Sequence, residues 1–219
     1  DLVDGDPSKD WKPVAVKAVA EATPASDFQG LDVLSFSRIM DLRQADARGG
    51  ERVKVRDRML LRFDGTAEGR RHVVFHSLLP VAETSFRQPA GQPPVEIRRV
   101  HADPDPAHDH LEIHLDLSGF PAGEPITLEL ATLMQAPILE SGRVPLDLLA
   151  PADLLTVWLL FPEDHPYRSY RLLRYPEHDP DAAEPMTPRY TIDHPYGQLI
   201  GWSVINPAKG QVYECRWTP

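Results

Sequence analysis

The sequence predicts an all-β protein, an antiparallel β-sandwich with little helix and long loops rich in Pro and Asp. Three observations predict it: apolar residues at every second position within short segments, turn-forming residues between those segments, and no alternation of strands with helices. The 23 prolines lie mainly between the apolar segments, where a missing backbone N–H interrupts no ladder. Short strands separated by frequent turns are typical of sandwiches and barrels.

The strand period is clearest where Ile126, Leu128 and Leu130 alternate with Thr127 and Glu129. The same alternation, or a short apolar run between turn signals, marks the other candidates. In chain order the predicted strands are 31–42, 52–63, 72–79, 95–101, 110–117, 126–134, 154–161, 167–175, 190–193, 198–205 and 211–217.

Helical signal is scarce. Segment 14–22, VAVKAVAEA, is rich in Ala and ends before Thr23 and Pro24, so it fits either one short helix or an edge strand. Region 145–155 is a second candidate for a helical turn.

We interpret residues 1–30 as an N-terminal tail or linker with a short helix, 31–122 as a first β module and 123–219 as a second. The alternative is one large sandwich over 31–219. Because the chain begins with Asp rather than Met, we expect it to be part of a larger multidomain protein.

Composition excludes several classes of function. Lys and Arg number 23 against 33 Asp and Glu, and the resulting charge of -10 repels nucleic acid and anionic membrane surfaces. No apolar stretch approaches the roughly 20 residues of a membrane helix. Cys215 is the single cysteine, which excludes an internal disulfide and multi-cysteine metal cages. We therefore expect a soluble, cytoplasmic protein.

Residues 108–116, HDHLEIHLD, concentrate metal-ligand side chains. In a strand, His110, Glu112, His114 and Asp116 share one face, with Leu and Ile on the other. One interpretation is the polar face of an ordinary strand. The alternative is a divalent transition metal held by His108, His110 and His114, with Glu112 or Asp116 as acid/base or outer partner. That site needs a further ligand from elsewhere or a bend near His108.

Segment 52–63 carries a ladder of positive charge on its polar face. The functional interpretation is an anion site in which Arg56 and Arg58 contact phosphate or carboxylate. The structural one is a solvated face paired with carboxylates from neighbouring strands, for which Glu112 and Asp116 are one source. The residues on this face are Arg52, Lys54, Arg56, Arg58 and Arg62.

Asp57 interrupts the apolar face of this segment, and Arg38 interrupts the apolar face of the preceding one. A hairpin closed by QADARGGE places the two opposite or diagonal. A buried carboxylate without a partner costs several kcal/mol, so we predict that Arg38 and Asp57 form an ion pair.

The C-terminal segment GQLIGWSVINPAKGQVYECRW reads as a hairpin around NPAKG, with Gly201 opposite Cys215 and Ser203 opposite Tyr213. Its predicted core face carries Leu199, Ile205, Tyr213 and Trp217. Trp202 then lies on the opposite face, covered by the 176–188 loop or by a ligand. A mid-strand position beside aromatic residues argues against Cys215 as a nucleophile.

The chain contains no GxSxG elbow, phosphate-binding glycine loop, HExxH or EF-hand motif. We therefore predict a non-enzymatic binding, sensor or regulatory module without a cofactor, whose ligand is a protein partner or small molecule. Recognition is expected through segments 101–110 and 176–188, or through Arg56, Arg58 and Trp202. The first alternative is a hydrolytic or oxidative enzyme using His108, His110 and His114. The second is assembly through an exposed sheet edge.

Overall fold

The computed structural model describes residues 12–13, 16–17, 31–43, 52–63, 72–76, 81–93, 95–101, 111–117, 119–135, 138–148 and 151–219. Strands dominate these residues, and the helical elements are the single turn α1 (Ile138–Ser141) and a 3-10 turn at Pro180–Ala182. The all-β prediction is confirmed. The strands are β1 (Lys12–Pro13), β2 (Val16–Lys17), β3 (Leu31–Asp41), β4 (Arg52–Phe63), β5 (His72–His76), β6 (Val81–Arg87), β7 (Glu96–His101), β8 (Leu111–Asp116), β9 (Pro125–Gln135), β10 (Arg143–Asp147), β11 (Leu154–Leu160), β12 (Ser169–Pro176), β13 (Glu184–Pro185), β14 (Tyr190–Asp193), β15 (Leu199–Ile205) and β16 (Gln211–Thr218).

The described strands form three sheets. The large sheet has the order β1-β6-β9-β4-β3-β11-β15-β14, the C-terminal sheet β10-β16-β12-β13, and the third sheet β2-β7-β8-β5. Most neighbours are antiparallel, as predicted, but β11 runs parallel to β3 and β2 parallel to β7. A parallel neighbour is feasible for β3 because β11 follows it only after a long stretch of chain.

The large sheet crosses residue 122. Its strands β3, β4 and β6 precede that residue, whereas β9, β11, β14 and β15 follow it. In particular, β9 inserts between β4 and β6. Strands from both sides of the predicted 122/123 boundary therefore form one sheet.

Region 145–155, predicted as a helical turn, instead contains most of β10, and the helical turn lies earlier, at α1. Pro145 is tolerated in β10 because this is the edge strand of the C-terminal sheet, where a missing N–H costs no ladder bond. Within segment 14–22 the structure describes Val16–Lys17, which pair with β7 at an edge. Among the described residues, no helix is both long and apolar enough to span a bilayer.

The large sheet and the C-terminal sheet share one hydrophobic core. Alternation in β4 buries Val55 and Met59, with at most 2% exposed, and leaves the arginines outside. The C-terminal sheet contributes Val144 and Tyr213 to the same cluster. At the far end, the rings of Phe161 and Trp217 meet edge to face, with 5.1 Å between their centroids.

The predicted C-terminal hairpin does not form. β15 pairs with β11 and β14, while β16 pairs with β10 and β12, so Gly201 and Ser203 oppose none of the predicted partners. The turn after β15 carries the chain from one sheet to the other. The core face of β15 is also reversed: Ile200 and Trp202 are buried, whereas Ile205 is 52% exposed.

Candidate anion-binding groove

Three arginines lie side by side on the outward face of the C-terminal sheet. Arg143 of β10 is opposite Arg216 of β16, which is in turn opposite Arg171 of β12. Residues directly opposite in an antiparallel pair share a face, with Cβ atoms about 5 Å apart. All three side chains are exposed. We call this set the arginine row.

An open cavity of about 690 Å³ lies over the arginine row. Its volume falls within the range of small-molecule sites. Hydroxyl groups of Ser141, Ser169 and Thr218 also line it, and Ser169 Oγ lies 2.8 Å from Thr218 Oγ1. The cavity therefore combines fixed positive charge with neutral hydrogen-bonding groups. We call it the groove.

The charge of the arginine row is poorly compensated. Several arginines elsewhere have carboxylate partners, as in Arg62–Asp32 and Arg174–Glu184. Neither Arg143 nor Arg171 forms an ion pair with any residue that the structure describes. Like charges directly opposite on a sheet destabilise it. The row is therefore a local concentration of positive charge on a chain whose net charge is -10.

Glu214 of β16 lies beside the row, two residues before Arg216. It is fully buried, accepts a hydrogen bond from the Tyr175 hydroxyl at 2.9 Å, and binds Nε of Arg216. Burial first, and then the hydrogen bond and charge of Glu214, raise the pKa of Tyr175 to about 12. With Nε held, the Nη groups of Arg216 have no other acceptor among the described residues, and its side chain is 46% exposed. Glu214 thus orients Arg216 and leaves its Nη groups for an anion.

The predicted sites lie elsewhere. Arg56 and Arg58 lie on the outward face of the large sheet, where Arg58 Nε is 3.7 Å from Glu129 and Arg56 forms no ion pair with a described residue. Carboxylate partners for this face include Asp32 of β3 and Glu129 of β9. β8, the strand of Glu112 and Asp116, belongs to the third sheet.

Trp202 is a core residue. It is 2% exposed, so the chain itself covers this side chain, and a ligand contact at Trp202 stays a prediction. The cause of this burial is the reversed face of β15, which turns Trp202 toward the core shared with the C-terminal sheet. Its indole Nε1 has no hydrogen-bond partner among the described residues.

The metal-site residues are incompletely described. His108 and His110 lie outside the described residues, and His114 lies in β8. The backbone register places His72 opposite Asp116 and His76 opposite Glu112, on either side of the position opposite His114. Among the residues that can be searched, no three metal ligands lie together. The metal site therefore stays a prediction.

Sequence reasoning missed the arginine row. No local pattern unites Arg143, Arg171 and Arg216, which lie in three separate strands. β10 itself was not predicted, so the register that brings Arg143 beside Arg216 could not be predicted either. The available signal was weak: each of the three occupies the outward phase of an alternating strand.

No family model matches the chain, and no curated protein matches it. Among solved structures, it is similar to a candidate protease from Parabacteroides distasonis, at 13% identity and a TM-score of 0.48 over 87% of this chain and 41% of that one. An M1 zinc metallopeptidase from Deinococcus radiodurans matches at 14% identity and a TM-score of 0.45, over 86% of this chain and 42% of that one. The chain spans less than half of each. At TM-scores below 0.5, neither likeness carries an argument about function.

Proposed function

We propose that this chain is a non-catalytic binding module whose groove holds a small ligand with two or more carboxylate or phosphate groups. The observation that carries the proposal is the register: Arg143 and Arg171 each stand directly opposite Arg216, and Glu214 binds Arg216 from two residues away on β16. A bound anion would relieve the repulsion within the row.

The geometry favours ligands with more than one anionic group. Neighbouring strands are about 4.8 Å apart, so the arginine row spans about 10 Å from Arg143 to Arg171. Guanidinium groups bind carboxylate and phosphate oxygens through paired hydrogen bonds. Arg216, held by Glu214, is expected to contribute the best-oriented donor pair, and the hydroxyls of Ser169 and Thr218 supply neutral contacts.

As a module of a larger protein, the chain would report ligand occupancy to its neighbours. A single cysteine, which allows no internal disulfide, supports a cytoplasmic location.

Calorimetric titration with citrate and with inorganic pyrophosphate tests the proposal. Arg143→Ala, Arg171→Ala and Arg216→Ala are each expected to weaken binding about tenfold, the loss of one charge-assisted hydrogen-bonding group. Arg52→Ala is the matched control, because Arg52 is an exposed arginine of the large sheet. Binding should weaken as salt is added. Equal affinities in all four variants, or no binding of either probe to the wild-type protein at millimolar concentration, contradicts the proposal.

The second candidate function is a metal-dependent enzyme. The supporting observation is the backbone register of the third sheet, which brings His72 and His76 of β5 alongside β8, the strand of His114. Elemental analysis of untagged protein discriminates the two functions. We expect well below one equivalent of metal and no thermal shift with zinc, iron or manganese. One equivalent that is lost in His114→Ala would favour the enzyme.

A further inference from the structure

The large sheet ends at an edge strand with an apolar surface. Within the described residues β14 pairs with β15 alone. The exposed large hydrophobic residues of the described chain all belong to β11, β14, β15 or the turn after β14. An apolar patch next to a bare sheet edge is the usual mark of a contact with another chain. These residues are Leu154, Tyr190, Ile192, Tyr196 and Ile205.

The sequence of this edge is complementary to itself. We propose that β14 pairs antiparallel with β14 of a second copy, about a two-fold axis at Thr191, so that two large sheets become one continuous sheet. In this register Tyr190 faces Ile192 of the second copy, Thr191 faces its counterpart, and Arg189 faces Asp193. Aromatic with β-branched, Thr with Thr, and opposite charges are the favourable classes of cross-strand pair.

The backbone of β14 has the polarity that this pairing needs. The N–H of His194 donates to the Leu199 carbonyl at 2.9 Å. Because hydrogen bonding alternates along an antiparallel strand, Ile192 also directs its backbone groups to β15, and Thr191 directs its groups to the open edge. Two copies of Thr191 can therefore exchange N–H to carbonyl hydrogen bonds at the two-fold axis.

The end charges of β14 are unpaired within the described chain. The Arg189 guanidinium lies over the Tyr190 ring, 5.6 Å from its centroid, and forms no ion pair with a described residue. Asp193 is exposed and likewise has no ion-pair partner there. The backbone N–H of Arg189 already donates to the Ser203 carbonyl. Its expected contact with Asp193 of the second copy is therefore made by the guanidinium group, not by the backbone. A second copy supplies each charge with its opposite, which is why a self-association fits this edge better than an unrelated partner.

Sedimentation velocity over a range of concentrations tests the inference. The wild-type protein should form a dimer. Asp193→Arg alone and Arg189→Asp alone should each raise the dimer dissociation constant on the order of tenfold to a hundredfold, because two attractive pairs per dimer become repulsive. An equimolar mixture of these two variants should dimerise again, as should the double variant. Glu177→Arg, an exposed site outside β14 with the same charge change, should dimerise like the wild type.

Recovery in the mixture separates the inference from misfolding, since two misfolded variants would not restore each other. A wild-type protein that stays monomeric at high concentration overturns the inference. The inference is also overturned if none of these substitutions weakens the dimer, because the dimer must then use another surface.

Discussion

Arg38 and Asp57 face each other across β3 and β4 and form a two-pronged ion pair. Arg38 Nε lies 2.7 Å from Asp57 Oδ1, and Nη2 lies 2.8 Å from Oδ2. The pair occupies the apolar face of the hairpin, where the neighbours of Asp57 in the alternation, Val55 and Met59, are buried. The side chains of the pair are only 22% and 14% exposed. The predicted pairing, and with it the register of the hairpin, is confirmed.

Removing one partner of this pair should destabilise the fold. Arg38→Met leaves a carboxylate on an apolar face, and we expect the free energy of unfolding to fall by about 2 to 4 kcal/mol. Arg38→Met combined with Asp57→Leu should recover most of that loss, because no unpaired charge remains. Urea denaturation measures both. The matched control is Arg58→Met, at an exposed position of β4, with an expected change of roughly 0.5 kcal/mol. A double variant as unstable as the single one would contradict the explanation.

Gly201 is expected to resist any larger side chain. A Cβ atom at this position would lie 2.5 Å from two ring atoms of Trp158, its cross-strand neighbour on β11. Gly201→Ala should lower the free energy of unfolding by about 1 to 3 kcal/mol through this overlap. Adding Trp158→Leu removes the ring, so in thermal denaturation the double variant should be more stable than Gly201→Ala. If the second substitution only adds to the loss, the overlap is not the cause.

Cys215 should be inert in the folded protein. It is fully buried in β16, and burial, followed by the charge of Glu214, raises the pKa of its thiol to about 12. Reaction with a chromogenic disulfide reagent near neutral pH is therefore expected only through unfolding, and its rate should rise in parallel with unfolding as urea is added. Rapid, stoichiometric labelling of the native protein would show that the strand opens locally.

Stability should decline at alkaline pH. Tyr175 holds its proton to about pH 12 in the folded protein, whereas an unfolded tyrosine releases it near pH 10. Its contribution to stability is therefore complete below about pH 10 and is lost as pH rises toward 12. Burial also raises the pKa of Tyr167 to about 12, so Tyr167 adds to the decline in stability.

The variant Tyr175→Phe measures the contribution of Tyr175 to the loss of stability at alkaline pH. Urea denaturation at successive pH values should show a smaller alkaline decline in the variant than in the wild type, although the variant starts less stable because Glu214 loses its donor. Equal declines in both proteins would assign the alkaline effect to other groups.

Much of the fold was predictable because hairpins are local. In segment 52–63, the alternation of Val55 and Met59 with Arg56 and Arg58 established which side chains are buried. The connection to β3, residues 42–51, left several registers open, and the need to pair Asp57 with Arg38 selected one. β6 and β10 escaped prediction because VAETSFR and RVPLD each contain too few apolar residues, or a proline, to mark a strand.

The groove was not predictable, because strand order in the C-terminal sheet does not follow the chain. β16 lies between β10 and β12, although it follows both in sequence. That order alone places Arg216 between Arg143 and Arg171. The position of an arginine on the outward face of its own strand does not indicate which strand will lie beside it.

The two C-terminal strands show which features follow from the sequence and which follow from the tertiary structure. The amino-acid sequence alone predicts strands at 198–205 and 211–217 with a turn at NPAKG between them, and the structure confirms strands at 199–205 and 211–218. Asn206 and Gly210 of that turn adopt positive φ. The tertiary structure decides that the two strands enter different sheets and that Trp202 faces the core. Alternation is a property of one strand, whereas the choice of neighbours depends on how all the apolar faces of the protein are covered together.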